Sequence, residues 1–152
     1  MKQADPAPDN NSPEASLSTF TSVVGAILAI SYPVLAISTL ARAGYQLLLK
    51  EGVTNYLAPL LTAVAAVLYL LATIGFAYRR RWSWRLSVTA LGLETAFTFL
   101  VGTLSLLIPE VIGRTVWARF GADYAFFPLI QPILGLIWLT RPEVLRAYGV
   151  RE

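Results

Sequence analysis

LSVTALGLETAFTFLVGTLSLLI, residues 86–108, is the stretch on which the fold turns. Its 23 residues hold one charged side chain, Glu94. About 20 consecutive apolar residues, each rising ~1.5 Å along an α-helix, cross the ~30 Å hydrocarbon core of a bilayer. A carboxylate at the centre of such a helix costs roughly 2.5–3.5 kcal/mol even on insertion scales. Glu94 is therefore expected to face protein or water and not lipid.

Three further apolar runs flank this one: Phe20 to Leu40, Leu57 to Tyr78, and a shorter run from Tyr124 to Thr140. Pro33 is expected to kink the first by removing an intrahelical hydrogen bond, and Pro128 and Pro132 lie inside the last. In lipid, each backbone N–H and C=O must be satisfied within the protein, which favours helices. The spans 20–40, 57–78, 86–108 and 124–140 thus predict an all-α fold, a four-helix transmembrane bundle joined by short connections. Ala41 to Tyr56 alternates Arg42, Gln46, Lys50 and Glu51 with Tyr45 and Leu47–Leu49, as an interfacial segment after the first helix would. Residues 1–19 carry three prolines and three acids and read as a disordered cytoplasmic leader, too acidic for a signal peptide. Residues 141–152 read as a cytoplasmic tail.

Composition agrees with this class. The chain is 56% hydrophobic and 14% charged, with a mean hydropathy of +0.60, whereas soluble domains carry about 25% charged residues. The net charge of +3 reflects membrane topology and not nucleic-acid binding, because the charges collect between the apolar runs. With four spans, Lys2, Arg79, Arg80, Arg81, Arg85, Arg141, Arg146 and Arg151 share one side, against Arg42, Lys50, Arg114 and Arg119 on the other. The positive-inside rule then predicts a multi-pass plasma-membrane protein with both termini cytoplasmic. Arg79, Arg80, Arg81 and Arg85 serve topology or meet anionic headgroups, at ~1 kcal/mol per residue.

The residue types that are missing narrow the chemistry. The chain has no Cys and no His, which removes thiolate nucleophiles, Ser-His-Asp triads and the commonest metal ligands. No dinucleotide, Walker A or EF-hand pattern occurs. A non-enzymatic protein without cofactor or metal is expected.

Counted inward from the arginine side, Glu94 lies about 12 Å deep and Gln131 and Tyr69 about 13–14 Å, with Ser31 and Tyr32 at roughly 16–18 Å. All four helices thus offer a polar side chain near one plane. On the third helix Ser87, Ala90, Glu94, Thr98, Val101 and Ser105 fall on one stripe at 100° per residue, the face expected to pack inward. Gln131 and Tyr69 are expected within reach of Glu94. Two readings of Glu94 stand side by side: a carboxyl that fixes helix register, or one that takes up a proton or cation during transport. Carbonyls freed by Pro128 and Pro132 would aid ion binding in the second reading and only bend the helix in the first.

Two segments, ARAGYQLL (41–48) and WARFGADYAFFPLIQPILGLIWLTRPEVLRAYG (117–149), resemble small uncharacterised four-span integral membrane proteins of high-GC Gram-positive, actinobacterial bacteria. The resemblance implies four helices and the plasma membrane, and no activity. The small multidrug exporters share four spans and one membrane Glu, but theirs is on the first helix and Glu94 is on the third. The function expected is that of an accessory or assembly subunit of a membrane complex, with the lipid bilayer and a membrane-protein partner or further copies of itself as neighbours. The alternative is a homo-oligomeric transporter or channel that uses Glu94 for proton or cation coupling.

Overall fold

A computed structural model describes residues 17–152. Most of the leader expected at 1–19 lies outside the described residues. The fold is all-α, and no strand occurs among the described residues. Three long helices, α1 (Thr19–Gly44), α2 (Leu57–Ala77) and α3 (Arg81–Leu107), are each long and apolar enough to cross a membrane. A bent pair, the 3-10 stretch Ala118–Tyr124 and α5 (Phe127–Leu139), meets at 98° and supplies a fourth candidate crossing by length and composition. Short helices α4 (Pro109–Ile112) and α6 (Pro142–Ala147) complete the chain. These are the helices of a multi-pass membrane protein. α1 packs chiefly on α2, α2 on α3 and α3 on α5, while α1 and α5 touch only briefly.

Helix ends differ from the apolar runs for local reasons. α1 passes through Pro33 and runs on to Gly44, then widens into a π-helical turn over Tyr45–Leu49. The segment expected to be interfacial is thus half a continuation of α1, followed by a turn at Glu51–Gly52 and irregular chain up to Tyr56. α3 begins at Arg81, five residues before its apolar run. Ser83 accepts the Arg80 N–H at 3.2 Å, which satisfies one of the orphan donors of a helix start. The connection is only Tyr78–Arg80, so Arg81 and Arg85 stand on α3 and Arg79 and Arg80 in the turn, all four exposed. α5 spans 13 residues, about 20 Å, too short for the ~30 Å core.

The region above α5 is filled by the connection from α4. Trp117 is fully buried and stacks on Phe97 at 5.1 Å, and Phe120 lies in the notch left by Gly102. The Arg119 N–H donates to Ser105 at 2.7 Å. Thr115 to Ala118 and Gly121 are buried, whereas Arg119, Asp123, Ala125 and Phe126 lie on the outside of the fold.

Contacts sort the bundle into two ends. At the first, the Ser18 N–H donates to Glu143 at 2.9 Å, holding that exposed carboxyl below its usual range. Trp138 donates to the Thr21 carbonyl at 2.7 Å and Trp84 to the Leu139 carbonyl at 3.0 Å, while Arg81 donates to the Gly149 carbonyl. The start of α1, the α2–α3 turn and the C-terminal segment therefore meet at an arginine-rich end. At the opposite, loop end, Asn55 donates to the Val111 carbonyl at 2.7 Å.

The tightest helix approach is between α2 and α3. A Cβ on Gly75 would lie 2.1 Å from Ser87 Oγ and 3.1 Å from the Ser83 carbonyl oxygen, and turning the serine away would not relieve the backbone contact. Gly75→Val should lower stability by about 1–3 kcal/mol through overpacking, read as a thermal shift in detergent. Gly92→Ala, where a Cβ meets nothing within 4 Å, should leave the midpoint unchanged or raise it.

Candidate functional site

The polar residues of the bundle interior lie between these ends. Glu94 is the central residue of α3 and has no solvent exposure. The buried face of α3 comprises Ser83, Ser87, Ala90, Leu91, Glu94, Thr98, Val101, Gly102 and Ser105, a stripe set by the 3.6-residue period. Small residues there let α2 and α5 approach closely, and the carboxyl projects into the space between the helices.

Its partner comes from α1. Tyr32 donates its hydroxyl to Glu94 Oε2 at 3.2 Å, and the Tyr32 ring packs edge-on against Tyr69 with centroids 6.1 Å apart. Tyr69 stands beside the pair, but its hydroxyl has no hydrogen-bond partner among the described residues. Gln131, expected to reach Glu94, instead donates its amide to Ser31 at 2.7 Å. The reason is geometric. Ser31 and Tyr32 are adjacent on α1 but point to different neighbours, so one meets α5 and the other meets α3.

Thr98 completes the layer. Its single hydroxyl hydrogen lies between two acceptors, the Glu94 carbonyl at 2.7 Å and the Pro128 carbonyl at 3.2 Å. The second of these is the carbonyl that Pro132, lacking an N–H, cannot satisfy four residues on. Freed carbonyls in α5 were expected; that Thr98 covers one of them is visible only in the packing. Glu94 Oε1, Gln131 Oε1 and the Tyr69 hydroxyl remain buried without partners. A buried polar atom left bare costs about 1–3 kcal/mol, so the layer carries a desolvation cost that the surrounding packing offsets.

The arginines Arg79, Arg80, Arg81 and Arg85 form no part of this layer and line the arginine-rich end. Among the described residues no group of three His, Cys, Asp or Glu side chains could hold a metal. Two features escape a sequence reading: the buried Trp117, whose indole N–H has no partner, and Arg42, whose guanidinium lies 5.6 Å from the centre of the Tyr124 ring. Trp117 carries the aromatic signature of an interfacial residue, and only the folded-in loop buries it.

The geometry sets energetic expectations. Thr98→Val should cost about 1–3 kcal/mol by removing the one hydroxyl hydrogen that the Glu94 and Pro128 carbonyls share. In a double-mutant cycle, Tyr32→Phe and Glu94→Met should couple by about 0.6 kcal/mol and at most about 1.7, as intramembrane hydrogen bonds do. Additive effects in thermal unfolding would mean that the hydroxyl and carboxyl do not stabilise one another. Compared with known proteins, the chain matches no family model, no curated protein and no solved structure.

Proposed function

We propose that the chain is a non-enzymatic integral membrane protein that serves as an accessory or assembly subunit of a membrane complex. The observation that carries this reading is the outer face of α1. Phe20, Val23, Ile27, Ile30, Val34 and Ile37 are all at least half exposed and recur at alternating spacings of three and four residues. That 3.5-residue repeat of mostly β-branched side chains is the seam of helices that pack side by side. A face that meets only lipid needs no such register, since lipid tails are as apolar as leucine. The interior polar layer supports the same reading, because it ties α1 to α3 and α5 and gives the outer seam a rigid backing.

In this reading the arginine-rich end faces the cytoplasm and the chain resides in the plasma membrane, following the excess of basic residues at that end. A second reading, a small homo-oligomeric transporter or channel with Glu94 as the coupling residue, draws on the three bare buried oxygens around the layer.

Affinity purification from native membranes in mild detergent separates the two. A different membrane protein should co-purify in fixed ratio and be lost with the double variant Ile27→Ala and Val34→Ala, while Leu106→Ala and Leu107→Ala on the exposed face of α3 should retain it. Recovery of the chain alone as a discrete oligomer, with proton- or cation-coupled flux abolished by Glu94→Gln in a folded protein, would replace the subunit reading with the transport one.

A further inference from the structure

Three clefts open at the loop end of the bundle, and they differ in how their cations are balanced. One holds Lys50 and Arg114 with Glu110 on its wall. A second holds Arg114 and Arg119 with Asp123, and Arg119 is already ion-paired with Asp123. The third lies between α1, α2 and the folded-in loop, has a volume of about 210 Å³, and is lined by Ser38, Thr39, Arg42, Thr62, Val116 and Tyr124. Arg42 is its only charge, and no carboxylate among the described residues pairs with it.

An unpaired guanidinium in that position is poised for an anion. Arg42 is half-buried, with its planar head over the Tyr124 ring, so part of its hydration is already gone and its orientation is restrained. Guanidinium offers five N–H donors in a fork that matches phosphate oxygens two at a time. Ser38 and Thr62 donate to the Leu35 and Ala58 carbonyls at 3.1 and 3.0 Å, so their hydrogens are spent within their own helices. Thr39, one turn before Arg42, keeps its hydroxyl as a second donor to the cleft. The volume exceeds the ~30 Å³ share of a single water several-fold, enough for a phosphate.

Depth selects the carrier of that phosphate. Arg42 stands 23 residues along α1 from Thr19, about 35 Å at 1.5 Å per residue, just past the ~30 Å hydrocarbon core. This is the level of lipid headgroups. We propose that Arg42 and Thr39 bind the phosphate of an anionic membrane lipid in this cleft, with Tyr124 holding the guanidinium in place. The site does not depend on which partner the α1 seam takes.

The test is native mass spectrometry of the full chain extracted from vesicles of equal phosphatidylglycerol and phosphatidylcholine with matched acyl chains. Wild type should retain phosphatidylglycerol at least tenfold over phosphatidylcholine. Arg42→Gln should abolish that preference, Arg42→Lys should restore part of it, and Arg114→Gln, in the neighbouring clefts, should keep it. Equal retention by wild type and Arg42→Gln would overturn the assignment, as would an equal loss in Arg114→Gln. Thr39→Val, which keeps shape and loses the donor, should weaken retention several-fold and stands in if Arg42→Gln fails to fold. Displacement of the lipid by millimolar inorganic phosphate would assign the cleft to the free anion and overturn the lipid.

Discussion

Glu94 has to find its hydrogen-bond partners inside the protein, because at the middle of α3 neither water nor lipid supplies them. The partner it has is Tyr32, and that choice fixes how α1 is rotated and shifted against α3. The next residue back, Ser31, accepts from Gln131 and fixes α5 against α1 in the same turn. Two adjacent residues of α1 thereby set the register of two other helices. This matters most where α1 and α5 touch only briefly, since apolar contact there is too sparse to specify register.

The same constraint shapes the fourth crossing. α5 is too short to span the core, and Pro132 deprives it of one intrahelical bond. Thr98 covers the freed carbonyl from α3, and the segment from Gly113 to Phe126 folds inward to fill what α5 does not reach. That segment places Arg119, Phe120, Ala125 and Phe126 at positive φ, at about 1–2 kcal/mol for each residue with a Cβ. Burial of Trp117 against Phe97, and of Phe120 against Gly102, offsets the strain. The loop is thus a packed part of the bundle, and it is what brings Tyr124 over Arg42.

Helix class and the inward stripe of α3 are legible in the sequence because both follow from periodicity, a local property of the chain. Ser87, Ala90, Glu94, Thr98, Val101 and Ser105 share a face whatever else the protein does, and the structure buries all six. Helix ends were less legible. Arg81 to Arg85 look like a loop by charge, yet a serine hydroxyl at the right spacing starts the helix there and the arginines point outward. Partner choice was not legible at all. Whether Gln131 meets Glu94 or Ser31 depends on rotations of about 100° per residue on two helices and on their relative height, and neither quantity is written locally. The apolar outer face of α1 emerges only in the folded bundle, where exposure separates Phe20, Val23, Ile27, Ile30, Val34 and Ile37 from the residues of α1 that face the core.

The linkage through Ser31 and Tyr32 also bears on the two functional readings. For Glu94 to exchange a proton or cation with both sides of a membrane, the layer would have to open alternately, and α1 would have to move relative to α3. Because Ser31 is covalently next to Tyr32, such a motion strains the Gln131 bond together with the Glu94 bond. Shared attachments of this kind raise the cost of intermediate arrangements and favour a single packed state. A bundle locked from within, presenting a regular apolar seam on the very helix that is locked, is suited to holding a neighbouring helix in register. A conducting bundle would instead place its bare oxygens along one continuous face towards a gap between helices. Here the bare oxygens beside the layer sit on three separate helices, Tyr69 on α2, Glu94 on α3 and Gln131 on α5, with Ser87 Oγ two turns away on α3.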